Sequence, residues 1–81
     1  MAQLINESID INAFYFTSGK ELKSFPRQME YGGEAVTFAS GLCCRIERAG
    51  RSCRFFDMSG TDGLSYRLRQ EGNQWTLVSR A

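Results

Sequence analysis

Arginine is concentrated in the second half of the chain. Residues 42–81 carry seven arginines, no lysine and four acidic residues, whereas residues 1–41 carry three basic and five acidic residues. Arginines and nearby aromatic rings on a β surface can hold single-stranded nucleic acid through phosphate contacts and base stacking, or they can anchor a protein interface. The candidate binding surface therefore comprises Arg45, Arg54, Arg67, Arg69 and Tyr15.

A solvated sheet face is the competing interpretation of these arginines. The net charge is only +1, whereas dedicated nucleic-acid binders are usually much more basic. Long arginine stems can also cover apolar neighbours on the solvent side of a sheet. Tyr15 lies in the run Phe14-Tyr15-Phe16, so alternation along a strand sends these rings to both faces. We expect either an exposed ring beside arginine or a ring packed into the core.

The absence of histidine narrows the chemistry. Without it, one chain cannot build Ser-His-Asp or Cys-His catalysis or a His-ligated metal site. The acidic pairs Glu30 with Glu34 and Asp57 with Asp62 flank predicted turns, and we interpret them as solubilising turn residues. We therefore expect a protein that is not an enzyme, takes no cofactor and has no evident small-molecule substrate.

The three cysteines predict neither a disulfide framework nor a metal site. Cys43, Cys44 and Cys53 are odd in number and lack the C-x2-C spacing of zinc sites. Adjacent strand residues point to opposite faces, so Cys43 and Cys44 cannot easily share one ion. We expect at least one cysteine to be buried, and a reduced, cytoplasmic protein. No segment approaches the roughly 20 apolar residues of a membrane helix, so we expect no membrane partner.

Strand signals dominate the rest of the sequence. Leu64, Tyr66 and Leu68 alternate with polar residues, and no window keeps apolar residues at helical spacing. These patterns predict one all-β domain over residues 1–81, an antiparallel meander of six or seven short strands that forms a small barrel or two packed sheets. Long strands left open would expose their edges, so closure or pairing with another chain is expected.

Two hairpins have a clear predicted register. Gly at the first central position of Gly72-Asn73 suits a type II′ turn, which pairs Glu71 with Gln74, Leu68 with Leu77, and Tyr66 with Ser79. A Gly32-Gly33 turn pairs Met29 with Val36 and Arg27 with Phe38. Pro26 should lie at a strand start or on an edge, because it cannot donate to a ladder.

The third hairpin, through Ala49-Gly50, has two candidate registers. A two-residue loop places Cys44 opposite Phe55 and Arg45 opposite Arg54. A three-residue loop with Gly50 in the left-handed conformation places Cys43 opposite Phe55 instead. We favour the three-residue loop, because directly opposed arginines are unfavourable.

Four segments resemble a pattern in small bacterial proteins that have no assigned activity. They are Leu22-Lys23-Ser24-Phe25-Pro26-Arg27, Phe56-Asp57-Met58-Ser59, Tyr66-Arg67-Leu68-Arg69 and Trp75-Thr76-Leu77-Val78. The resemblance covers roughly residues 14–79. It implies a short bacterial protein and carries no functional residue onto this chain.

Together these patterns favour a small non-enzymatic binding domain. The first hypothesis is protein–protein interaction, by edge-strand pairing or self-association, because a marginal barrel with amphipathic strands offers edges to a partner. The alternative is single-stranded nucleic-acid binding through the arginines of the candidate surface.

Overall fold

The computed structural model describes residues 3–17 and 23–81, which form an antiparallel meander of six strands. Each strand pairs with the next, and the last pairs with the first, so the sheet closes into a small barrel. The all-β prediction is confirmed. The sequence left open a small barrel or two packed sheets, and the closed strand order shows the barrel. The strands are β1 (Gln3–Thr17), β2 (Lys23–Tyr31), β3 (Glu34–Arg48), β4 (Arg51–Gly60), β5 (Ser65–Glu71) and β6 (Gln74–Arg80).

Two long strands form the corners of the barrel. β1 pairs with β6 through residues 3–9 and with β2 through residues 10–17, and β3 pairs with β2 through residues 34–37 and with β4 through residues 38–48. Bulges lie near both changes of partner, at residues 11–14 of β1 and 38–40 of β3. A bulge bends its strand, so each long strand leaves one sheet and enters another. A five-stranded large sheet therefore faces a three-stranded small sheet.

The core lies between the inward faces of these two sheets. Phe56 of β4 contacts Phe25 of the small sheet edge-on at 5.9 Å between ring centroids, and its other neighbour Trp75 lies at 5.3 Å. Such aromatic pairs add about 0.5–1.5 kcal/mol beyond the burial of their area. The buried hydrophobic residues are Ile9, Met29, Phe38, Phe56, Met58, Tyr66, Leu68, Trp75 and Leu77.

The last hairpin follows the predicted register near its turn and departs from it further on. Gly72 has φ +61°, as a type II′ turn requires, and the pairs Glu71–Gln74 and Leu68–Leu77 are present. The predicted partner of Tyr66 was wrong, since a bulge after Leu77 places Arg80 opposite it. The extra residue, Val78, reverses the alternation and turns the end of β6 so that Arg80 faces the barrel interior.

The Gly32-Gly33 hairpin also keeps its predicted register, with Met29 opposite Val36. Positive φ angles at Gly32 and Gly33, +61° and +78°, are those of a type I′ turn. The ladder stops at Gln28–Thr37, however, so the predicted pairing of Arg27 with Phe38 is absent.

Pro26 lies inside β2 rather than at its start, buried and opposite Phe14 of β1. On the side of β3 the described ladder has already ended at Gln28–Thr37. Pro26 therefore behaves as an edge residue towards β3, where its missing N–H removes no ladder bond. The edge prediction is confirmed, and the strand-start prediction is wrong.

The preferred register of the third hairpin was wrong. Ala49 and Gly50 both have positive φ, +52° and +76°, so the loop has two residues and Arg45 lies opposite Arg54. The two guanidinium groups avoid each other because Arg54 turns towards β5, where it donates to the side-chain oxygen of Gln70. Arg45 stays exposed to water, which screens the remaining repulsion.

Candidate interaction surface on the β3–β4 hairpin

The far end of β3 is an open strand edge. Among the described residues, no strand pairs with β3 beyond Thr37 on the side away from β4. Arg48 and Arg51 flank a two-residue loop, which is the hydrogen-bonded position of a hairpin, and bonded and non-bonded positions alternate along an antiparallel pair. The N–H and C=O groups of Gly41, Cys43, Arg45 and Glu47 therefore point away from β4, available to another strand.

An apolar patch lies on the outer face beside this edge. Direct pairing places Cys44 opposite Phe55, and Ile46 opposite Cys53, and alternation from the buried Phe56 turns all of these residues outwards. Leu42 is 76% exposed and Ile46 is 47% exposed, which is high for aliphatic side chains on neighbouring outward positions. We name this set the hairpin patch, and its members are Leu42, Cys44, Ile46, Cys53 and Phe55.

Arg45 and Arg54 lie on the opposite, inner face of the same hairpin. They are direct cross-strand neighbours and share the face of the buried Phe56. The Arg54 guanidinium also lies 5.4 Å from the centre of the Phe56 ring, a cation–π geometry. Its partners on β4 and β5 fix Arg54, whereas Arg45 is exposed at the margin of the hairpin.

Arg67 and Arg69 lie on the outer face of β5. Arg67 donates from Nε and Nη2 to the two carboxylate oxygens of Asp57, at 2.8 and 3.2 Å. These hydrogen bonds hold the pKa of Asp57 below its usual 3.8 and raise the pKa of Arg67. Arg69 lies directly opposite Phe55, so its cation borders the hairpin patch.

Tyr15 closes the seam where the β2–β3 ladder stops. Its hydroxyl donates to the carbonyl oxygen of Phe38 at 3.1 Å, and the Arg27 guanidinium lies 5.4 Å from the centre of its ring. The ring stays 39% exposed. Tyr15 thus bridges the small sheet to β3 just before the open edge begins. Of the two alternatives that the sequence left open, Tyr15 matches the exposed ring beside an arginine rather than the ring packed into the core.

The structure divides the predicted surface into three places. Arg67 and Arg69 lie together beside the hairpin patch, Arg45 and Arg54 lie on the other face of the sheet, and Tyr15 lies on β1. Sequence reasoning missed Leu42 and Ile46. Leu42 and Ile46 alternate with Cys43 and Arg45, which indicated that the two aliphatic side chains share one face of the strand. Which face they occupy depends on the β3–β4 register, and that register was predicted wrongly.

A second polar cluster occupies the end of the barrel near the β4–β5 loop. The buried Tyr66 donates its hydroxyl to Asp62 Oδ2 at 2.5 Å, and Asp62 Oδ1 accepts the Leu64 N–H at 2.9 Å. Burial and this hydrogen bond raise the pKa of Tyr66 to about 12, and the Tyr66 hydroxyl and the Leu64 N–H lower the pKa of Asp62. A Cβ on Gly60 would clash with Asp62 Oδ1, so glycine permits this contact.

The cysteines are less buried than predicted. Cys43 and Cys44 are exposed on opposite faces of β3, and Cys53 is only partly covered, so the expectation that one is buried was wrong. The reason is that the hairpin extends past the small sheet, and nothing among the described residues covers its tip. Within residues 3–17 and 23–81 no group of three or more Cys, Asp or Glu side chains is arranged to hold a metal ion.

A shallow groove of about 710 Å³ runs along the outer face from Leu42 of the hairpin patch towards the end of β6. Small residues form much of its lining, among them Ser40, Ser59, Ser65 and Ser79. The groove extends the patch with a surface on which backbone and side chains of a partner could approach closely.

Comparisons with protein-family models, with characterised proteins and with solved structures found no match to this chain. In the part of the chain that the structure describes, there is no helix of the length and apolarity needed to cross a membrane.

Proposed function

We propose that this chain is a protein-binding domain that takes an extended partner strand onto the open edge of β3. The observation that carries the proposal is the combination of backbone groups over residues 41–47 that pair with no other described strand and the exposed hairpin patch. Strand addition gains affinity from the main-chain hydrogen bonds and specificity from the alternate side chains. An exposed apolar patch beside such an edge is a recognised sign of an interaction site.

The two edges of the large sheet differ, and the difference supports β3 as the edge that binds the partner. The other edge, formed by residues 3–9 of β1, is interrupted by a register shift between Leu4 and Glu7, where Asn6 has φ +53°. Bulges and charges are devices that keep natural edges from pairing. β3 is regular against β4 from Ser40 to Arg48, so it offers a straight template of nine residues.

The proposal includes a non-enzymatic role in a reducing, cytoplasmic compartment. Support for the compartment comes from the three cysteines, all of which are free thiols, with Cys43 and Cys44 exposed. Support for binding rather than catalysis comes from the lack of histidine. The predicted absence of a cofactor and of a small-molecule substrate stays part of this proposal.

The test compares proline and alanine at position 45. The Arg45 N–H points away from β4, so proline removes an edge donor without removing a β3–β4 bond, and alanine removes only the side chain. Peptides selected from a random phage-displayed library are titrated against the three proteins. We expect Arg45→Pro to weaken binding at least tenfold and Arg45→Ala to stay near the parent.

Hydrogen exchange locates the bound peptide. A strand on this edge should slow exchange of the amides of Cys43 and Glu47, because both N–H groups point to the open side. Peptides that bind equally to the proline variant, or that protect amides elsewhere, would remove support for the edge as the binding site.

A further inference from the structure

We infer that the partner strand is β3 of a second copy of this chain, antiparallel to the first about a two-fold axis through Cys44. This inference rests on the proposed function, since it names the occupant of the same edge. It is carried by the self-complementary spacing of the hairpin patch and by the interrupted edge at the other end of the large sheet.

The backbone phase of β3 permits this pairing. With the axis at Cys44, residues 40–48 of the two copies overlap, and Cys43 lies opposite Arg45 of the second copy. Both have N–H and C=O groups directed to the open side, so they form hydrogen-bonded pairs. Cys44 then occupies a non-hydrogen-bonded position opposite its own copy.

The outer face becomes a continuous apolar strip in this register. Leu42 and Ile46 lie two residues before and two after Cys44, so each Leu42 is placed opposite Ile46 of the second copy. These side chains are 76% and 47% exposed in the single chain, and cross-strand pairing would cover them. Each copy contributes its five-stranded large sheet, which gives one sheet of ten strands.

Neighbouring registers are less favourable. An axis at Arg45 opposes Arg45 with itself, and like charges directly opposite are destabilising. An axis at Ile46 shortens the overlap to residues 44–48. Of these three registers, the axis at Cys44 gives the longest overlap and places apolar residues opposite each other on the outer face.

The other edge of the large sheet, formed by residues 3–9 of β1, explains why pairing stops at two copies. A two-fold contact consumes the β3 edge of both chains and closes on itself. The remaining edges belong to residues 3–9 of β1, where the irregularity around Asn6 breaks the template. The assembly is therefore a closed dimer rather than a growing sheet.

The first experiment measures mass in solution under reducing conditions. We expect twice the chain mass of 9.2 kDa, a shift to the single-chain mass for Ile46→Lys, and an unchanged dimer for Leu4→Lys. Leu4 is the matched control because it is 72% exposed but lies on β1. A dimer that resists Ile46→Lys, or that dissociates with Leu4→Lys, would overturn the inference.

The second experiment tests the axis by oxidative cross-linking. Residues at a non-hydrogen-bonded pair lie about 4.5 Å apart at Cα, within the range that a disulfide spans. A variant retaining only Cys44 (Cys43→Ser with Cys53→Ser) should form a disulfide-linked dimer rapidly with mild oxidant. A variant retaining only Cys43 (Cys44→Ser with Cys53→Ser) should do so slowly, and equal rates would contradict the register.

The two proposals fail in different ways. A chain that is monomeric at all accessible concentrations, yet binds selected peptides with sensitivity to Arg45→Pro, would overturn the second copy and leave strand addition standing. A monomer that also shows no sensitivity to Arg45→Pro would overturn both.

Discussion

Tyr66 and Asp62 form the most strongly perturbed pair of titratable groups in the described part of the chain. The phenol is buried and donates to a carboxylate, so burial and the hydrogen bond both oppose its ionisation. The positive charge of Arg80 and its hydrogen bond to the Tyr66 hydroxyl oppose part of this rise in pKa. The pair ties the β4–β5 loop to the end of the barrel.

Replacing the Asp62 carboxylate should lower the pKa of the Tyr66 phenol. We expect Asp62→Asn to lower the pKa of Tyr66 from about 12 towards the ordinary value of 10.0, because the charged acceptor is lost. Phenolate absorbance followed through an alkaline titration measures this, and Tyr66→Phe assigns the signal. Asp57→Asn is the control, since Asp57 pairs with Arg67 on the outer face. A phenol that still titrates near 12 in Asp62→Asn would assign the shift to burial alone.

These shifts also set the direction of the pH dependence of stability. A raised pKa means that the folded chain holds its proton more tightly, so the contribution of Tyr66 is full below pH 10 and is lost as pH rises towards 12. The lowered pKa values of Asp57 and Asp62 act at the other end, since their contributions are full above pH 4 and are lost on further acidification.

The Ala49-Gly50 turn is the element whose conformation is least suited to its sequence. Ala49 has φ +52°, and the left-handed conformation costs a residue with a Cβ about 1–2 kcal/mol. The hairpin nevertheless keeps its two-residue loop, because the alternative would shift the whole β3–β4 ladder by one residue. That shift would turn the β3 members of the hairpin patch, Leu42, Cys44 and Ile46, to the inner face.

Asparagine at this position should stabilise the chain. Asn tolerates the left-handed region, and Asn-Gly is a preferred type I′ sequence. We therefore expect Ala49→Asn to recover part of the left-handed cost and to raise the free energy of unfolding by about 1 kcal/mol. Urea unfolding measures the change, and Ala49→Val, which is stiffer in this region, should have the opposite effect. A loss of stability with Asn would favour the three-residue loop, in which position 49 has negative φ.

Sequence patterns predicted the elements well where turn chemistry was explicit. Gly72-Asn73 and Gly32-Gly33 encode their φ angles directly, so their nearest pairs were predicted correctly. Ala49 gave no such signal, because alanine rarely adopts positive φ. The bulge at Val78 was also invisible, since one extra residue in a strand leaves the local pattern of apolar residues nearly unchanged.

At the scale of the whole molecule, the position of the arginines bears on the nucleic-acid hypothesis. Arg67 is paired with Asp57 and Arg54 with Gln70, and the two pairs lie on opposite faces of the large sheet. A single strand of nucleic acid cannot follow both faces at once, and the net charge of +1 supplies little long-range attraction. The hypothesis stays a prediction, with weaker support than strand addition.

A titration with short single-stranded DNA at low and moderate salt tests it. We expect no amide shifts clustered on one face, and no difference between the parent and the double variant Arg67→Ala with Arg69→Ala. Arg45→Ala with Arg54→Ala is the matched control on the other face. Binding that falls steeply with salt and is lost in only one double variant would support the nucleic-acid hypothesis and identify the face of the sheet that binds.

The open edge could not have been predicted from the sequence alone. It exists because β3 changes partner at the Phe38–Ser40 bulge and because the β2–β3 ladder stops near Pro26. Both features depend on how two sheets pack against each other, which no local pattern encodes. Sequence patterns predicted pairing through a strand edge but identified no strand. The packing of the two sheets determines that the open edge belongs to β3.

Closure of the barrel has a kinetic consequence. Five of its six strand pairings join neighbours in sequence, and only β1 with β6 joins the two ends of the chain. Hairpins form in about 1–10 μs, whereas bringing distant segments together carries an entropy cost that slows folding. We therefore expect contacts such as Ile9 with Trp75 to form last, so that the folding rate depends on how quickly the two ends of the chain meet.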